Sequence, residues 1–237
     1  MGSSKEQIGW CYPDNNLHDY IIYPPERYTE RHTNDYEAWR GYNKQGYIHC
    51  PSYQNFFSNT YVIKSPIQFT ATSSKGEVKV ESNQVDDHEM NRIVSYHSSN
   101  DMHDRDKPFF QMAFKYLFIA DQPTLMDIMP PFNHSYPGQI IGGSFNIHSW
   151  VRNVSWGFQF NRTNDILKVE RGDPLMYIRF TNSELKNNIK LVKCKLTEDI
   201  FKELDRKRDL GKFVKGKKFN FIATALKLRK QRLVYEE

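Results

Sequence analysis

The chain has 237 residues, 38% of them apolar and 14% aromatic, with a net charge of +5. Sixteen Phe, fourteen Tyr and four Trp can fill a core with few residues, because each ring buries roughly 150–250 Å², so composition excludes a disordered chain. No run approaches the roughly 18 consecutive apolar residues of a membrane span, and residues 1–10 read as no secretory signal, which points to a soluble, cytoplasmic or virion protein.

Residues 1–59 read as an aromatic-rich, irregular wrap. Nine of the fourteen tyrosines lie between Tyr12 and Tyr61. Tyr23-Pro24-Pro25 forbids a regular helix, since each proline fixes its own φ and restricts the residue before it. A short helix is expected over residues 33–42, with Thr33 or Asn34 as its cap and Gly41 as its stop.

Strand signals begin at Thr60. Residues 61–65 and 67–70 are apolar or alternating, Ser73-Ser74-Lys75-Gly76 is a turn, and residues 77–81 alternate as a returning strand, so a hairpin is expected. Residues 109–120 are long, apolar and aromatic, which predicts a buried strand. A second apolar run covers residues 125–129 and stops at Pro130-Pro131. Residues 139–150 run through Gly142-Gly143, a pair that signals a bulge or a close backbone approach. Residues 156–160, 166–169 and 175–180 complete the strand-dense section, and residues 185–196 offer a last strand. Short strands at this spacing, broken by Gly and Pro, predict an antiparallel β-sandwich or jelly-roll-like body over residues 60–196.

Residues 197–237 read as a basic helical tail. Thr197 is the expected cap of one helix ending at Gly211, and residues 220–235 pattern as a second. Residues 1–185 carry 17 Lys/Arg against 21 Asp/Glu, a net of −4, and residues 186–237 carry 16 against 7, a net of +9. Lys215, Lys217, Lys218, Lys227, Arg229, Lys230 and Arg232 are therefore candidates for an anionic partner, either nucleic acid or an acidic protein face. The alternative is a solvated helix face.

Candidate chemistry is sparse. His97, Asp101 and His103 lie within seven positions, with Asp104 and Asp106 close by, and could ligate a divalent metal; the same composition suits a polar loop. None of the eight histidines (18, 32, 49, 88, 97, 103, 134 and 148) has an acid two positions on, as the facial triad of a double-stranded β-helix oxygenase would show. Cys50 follows His49, but neighbours on an extended chain face opposite ways, so an unreactive thiol is expected. Cys11, Cys50 and Cys194 read as free thiols. Asp86-Asp87-His88-Glu89 reads as a solvated turn, and the sequons at Asn133, Asn153 and Asn161 as chance. No nucleophile elbow, dinucleotide fingerprint or phosphate loop occurs.

Three segments carry a resemblance: His49-Cys50-Pro51-Ser52-Tyr53 leading to Asn59-Thr60-Tyr61-Val62-Ile63-Lys64-Ser65-Pro66; Pro130-Pro131-Phe132-Asn133; and Arg171-Gly172-Asp173-Pro174-Leu175-Met176-Tyr177-Ile178-Arg179-Phe180. In this layout the chain resembles a family of uncharacterised proteins from tailed marine phages and bacteria. The resemblance implies a viral origin and a β-rich body, and brings no catalytic residues with it. The expectation is a phage-type binding or assembly protein without catalysis, as a virion component or a host-interaction protein, with a protein partner or self-assembly. The alternative is a metal-dependent, oxygenase-like enzyme of the double-stranded β-helix type, using His97, Asp101 and His103 or His134 and His148. No cofactor beyond such a metal is expected.

Overall fold

A computed structural model describes residues 7–11, 22–28, 50–74, 77–96, 107–132, 134–148, 151, 153–182, 189–200 and 202. These residues are mainly β. Fourteen strands run in order: β1 (Gln7–Cys11), β2 (Glu26–Arg27), β3 (Thr60–Lys64), β4 (Phe69–Ser74), β5 (Glu77–Glu81), β6 (Val94–Tyr96), β7 (Phe109–Ala120), β8 (Thr124–Met129), β9 (Gly138–Ile140), β10 (Gly143–Asn146), β11 (Asn153–Phe160), β12 (Ile166–Val169), β13 (Pro174–Asn182) and β14 (Lys190–Lys193). Helix α1 (Pro51–Phe57) precedes β3 and helix α2 (Asp87–Ile93) precedes β6.

Three sheets form. The first has the order β14-β1-β7-β11-β9, with β6 also paired to β7; the second is β10-β8-β13-β3-β2; the third is β12-β4-β5. All pairings are antiparallel except β1 with β14. Inward residues of all three sheets meet in one core, among them Phe110, Trp156 and Phe158 from the first, Ile63, Met126 and Phe180 from the second, and Phe69 and Leu167 from the third. This is a sandwich-like packing of antiparallel sheets. Alternation explains it: in β7 Phe110, Met112, Phe114 and Tyr116 are buried while the residues between them are half-buried.

Several polar groups inside the core are paired, as burial favours. Trp156 donates its indole N–H to the Leu175 carbonyl at 2.9 Å. At the other end Tyr61 donates its hydroxyl to the Ile189 carbonyl at 2.9 Å, and Ile189 N–H donates to Asn59 Oδ1 at 3.1 Å. These bonds tie β3 to the chain entering β14.

Two smaller clusters cover the outer sheet faces. Cys11, Leu117, Ile119, Val151, Cys194 and Ile200 pack behind the first sheet. Tyr28, Phe57, Val62 and Tyr177 pack behind the second, with Phe57 stacked on Tyr28 at 4.1 Å.

The predicted hairpin is present, with Ser74 opposite Glu77 in β4 and β5. Residues 109–120 form one strand, as their pattern predicts. Gly172 adopts φ +93° in the turn into β13, where Asp173 N–H reaches the Glu170 carbonyl at 3.1 Å; glycine takes that conformation without steric cost. Thr197 Oγ1 accepts from Ile200 N–H at 3.4 Å, and most of the helix expected to follow lies outside the described residues.

Other expectations fail. Residues 7–11 are a strand with neighbours on both sides, not part of an irregular wrap. Residues 51–57 are helical, started by Pro51 in the first turn. Asp86 caps α2 by accepting from Glu89 N–H at 2.8 Å, so the acidic run is a helix start in place of a solvated turn. Of the expected last strand, Lys190–Lys193 form β14, and residues 185–188 lie outside the described residues. The expected helix over residues 33–42 and the tail beyond residue 202 lie outside the described residues. Among the described residues no helix is long and apolar enough to cross a membrane.

Candidate functional site: a cavity at the edge of the first sheet

Two irregularities open a space beside β11. In β7 the register against β11 slips: Tyr116 faces Val154 but Met112 faces Trp156, so Ala113, Phe114 and Lys115 stand opposite Ser155 alone. Lys115 takes φ 58° at this bulge. Bulges re-aim side chains and increase local twist, and they recur beside functional sites. On the far side of β11, β9 pairs only with Phe158–Phe160.

The chain then changes sheets. Ile141 N–H makes its bond to the Gly157 carbonyl at 2.9 Å, and by Gly143 the chain has joined β8 of the second sheet opposite Ile128. The expected run through Gly142-Gly143 is thus two strands in two sheets. A Cβ on Gly142 would lie 2.9 Å from the Ile128 carbonyl oxygen, so only glycine lets the crossing backbone approach this closely.

Between this crossing and the N-terminal half of β11 lies a cavity of about 160 Å³. Phe109, Gln111 and Phe118 of β7 line one side, and Met126 and Ile128 of β8 another. Ile141 to Gly143, Phe145 and Ile147 close it from the crossing and β10, and Asn153 to Ser155 with Gly157 supply β11. A Cβ on Gly157 would meet the Phe109 ring at 3.2 Å and Ile141 at 3.3 Å, so glycine keeps this wall thin. Ile141 is 42% exposed, which puts the mouth at the sheet edge.

Among the described residues the lining is mostly apolar, and one polar atom nearby lies apart from it. Asn153 Oδ1 is buried and accepts no hydrogen bond from the described residues. A buried acceptor without a donor costs about 1–3 kcal/mol, so this position asks for a partner.

None of the sequence-derived candidates is among the described lining residues. His97, Asp101 and His103 lie outside the described residues, as do Lys215, Lys217, Lys218, Lys227, Arg229, Lys230 and Arg232. The His134 ring meets Tyr136 at 4.4 Å, tilted by 54°, and His148 Nδ1 sits 3.1 Å from the Ala120 carbonyl oxygen, so it carries the proton there. Among the described residues no three His, Cys, Asp or Glu gather in a metal-binding group.

Cys50 stands just ahead of α1. It is exposed at the start of α1, and its pKa is lowered, chiefly by the backbone N–H of Tyr53 and then that of Ser52. The sulfur makes no capping bond of ordinary geometry. Cys11 and Cys194 are buried.

Sequence reasoning missed Asn153, which it held only as a chance sequon. The glycine pair at 142–143 was the one legible signal of the cavity. The bulge in β7 has none, since a lysine at positive φ is invisible in composition.

No family model, curated protein or solved structure matches the chain.

Proposed function

We propose that this chain is a β-sandwich binding or assembly protein of the tailed-phage type, a virion component or host-interaction protein, acting by recognition without catalysis. One observation supports the reading above others: a mostly apolar cavity of about 160 Å³ opens where the chain crosses between sheets. Binding sites are concave and mostly apolar, with a few placed polar groups, and this cavity has that composition. The jelly-roll form of the sandwich belongs to the same proposal. From β7 to β11 successive strands alternate between the first and second sheets, as that fold requires. The basic residues between Lys215 and Arg232 add attraction to an anionic partner.

Filling the cavity tests the reading. Ser155 is half-buried and lines it. In Ser155→Leu the thermal midpoint of the free protein should stay within a few degrees, while stabilisation by small apolar molecules disappears. Differential scanning fluorimetry against such molecules measures both. Equal stabilisation of the variant and the native chain would remove the cavity as the recognition site.

A further inference from the structure

Cys11 and Cys194 meet where the first and last strands run side by side. β1 and β14 are parallel and in register from Gln7 opposite Lys190 to Trp10 opposite Lys193. One residue further, the Cys194 N–H still donates to the Trp10 carbonyl at 2.9 Å. That bond sets the Cys194 backbone beside Cys11 at the spacing of neighbouring strands, roughly 4.8 Å. A disulfide needs its two Cα atoms about 4.4–6.8 Å apart. Side-chain direction agrees with the spacing. Ile8 and Trp10 of β1 and Leu191 of β14 pack into the main core, so by alternation Cys11 and Cys194 face the other way. Both belong to the cluster behind the first sheet, with Leu117, Ile119, Val151 and Ile200.

The register that brings them together is fixed at the other end of β14. Tyr61 donates its hydroxyl to the Ile189 carbonyl at 2.9 Å and accepts from Leu191 N–H at 3.2 Å. Arg27 Nη2 donates to the same Ile189 carbonyl at 3.3 Å. A slip of one residue would turn Leu191 out of the core and Cys194 into it. The chain has three cysteines, and the fold sets two of them at one place from opposite ends of the described body. One cysteine in an apolar cluster serves as a small hydrophobe. Packing asks for no second sulfur beside it.

We propose that Cys11 and Cys194 are a disulfide-forming pair, which under oxidising conditions closes a covalent link between β1 and β14. The oxidant is a small disulfide of the glutathione class. One cysteine thiolate attacks a sulfur of that disulfide, which forms a mixed disulfide and releases the first small thiolate. The second cysteine thiolate then attacks the cysteine sulfur of the mixed disulfide and releases the other small thiolate. Two electrons pass from the pair to the small disulfide, and the two protons that the cysteines give up match the two that the released thiolates take up. Exposures of 3% and 1% mean that the strand end must open for the oxidant to enter. β14 suits this, as a four-residue strand at the edge of the first sheet among the described residues, and such elements open at far lower free energy than the body. Once closed, the link joins the first strand to the last, and so long a closed loop restricts the unfolded chain most. The pairing does not depend on the cavity.

The test uses the full chain carrying Cys50→Ser, which removes the exposed thiol, kept folded in buffers of reduced and oxidised glutathione. The intact mass should fall by two hydrogens with no glutathione attached, and peptide mapping should recover Cys11 linked to Cys194. The thermal midpoint should rise by roughly 5–15 °C, and a dithiol reductant should reverse all three changes. Adding Cys11→Ala or Cys194→Ala should abolish the linked peptide and the rise. Each variant is compared with its own reduced form, so a lower starting midpoint from lost packing does not enter the comparison.

A folded chain that keeps both thiols in every buffer overturns the pairing. So does one that takes up glutathione at Cys11 or Cys194 without closing the link. A link that forms only after unfolding in urea, or that leaves the midpoint unchanged or lower, overturns it as well, since the fold would then not hold the two sulfurs ready.

Discussion

Tyr136 shows how one side chain reports on its surroundings. Its hydroxyl donates to the Pro174 carbonyl at 2.9 Å, and its ring meets Trp156 and Phe158 edge-on. Burial raises its pKa well above the ordinary 10.0, and the nearby Asp173 and then Tyr177 raise it further. The neutral phenol is thus the form the fold stabilises. Below the ordinary value both folded and unfolded chains hold the proton, and the contribution to stability is fully present. As pH rises above about 10 the unfolded chain releases its proton first, so stability falls. Urea unfolding between about pH 9 and pH 11 should show a steeper loss for the native protein than for Tyr136→Phe. At neutral pH that variant should be about 0.5–1.5 kcal/mol less stable, because it loses the hydrogen bond. Identical pH slopes would place the phenol in water.

At the scale of elements, β1 is the clearest case of a segment whose role comes from its neighbours. Five residues, Gln7–Cys11, lie between β7 and β14, with Ile8 opposite Ala120 and Trp10 opposite both Phe118 and Lys193. Ile8 and Trp10 belong to the main core, while Cys11 packs in the cluster behind the sheet. Trp10→Ala is expected to cost about 3–5 kcal/mol, the range for deleting a large core ring. Gln7→Ala, at the exposed end of the strand, should stay within about 0.5 kcal/mol. Chemical denaturation measures both, and a small effect at Trp10 would return residues 7–11 to the status of a loose wrap. The outer face of the second sheet follows the same logic. There α1 places Phe56 and Phe57 against Phe132, which is 53% exposed, and Arg179 stands 4.5 Å over the Phe56 ring.

The whole molecule is electrically lopsided. The first 185 residues carry a net −4 and the last 52 carry +9. If the tail meets an anionic polymer, its seven named bases would displace counterions, and affinity would fall steeply with salt. Fluorescence anisotropy with a DNA duplex should give a log–log slope of roughly −5 to −7, and removing residues 212–237 should abolish binding. A salt-independent interaction, or one that survives the deletion, would exclude the tail as an electrostatic contact.

Much of the β architecture was legible in the sequence, because alternation is a local property. In 77–81 the apolar positions recur every second residue, in 166–169 Leu167 and Val169 do so beside an exposed Ile166, and the strands fall there. The long aromatic run at 109–120 is apolar on both faces, and both faces are covered. Gly142, read as a close backbone approach, stands where a side chain would clash with the Ile128 carbonyl.

What only the tertiary structure decided depends on residues far apart in the chain. Residues 7–11 are a strand because β7 and β14, more than a hundred positions away, satisfy their backbone groups, and no pattern five residues long carries that information. The cavity exists because a bulge in β7, a crossing at 141–143 and the start of β11 converge. Asn153 Oδ1 is left without a donor among the described residues by position alone. Periodicity determined where strands form; the assembly of sheets determined which polar atom was left without a partner, since burial is a property of the fold and not of the residue.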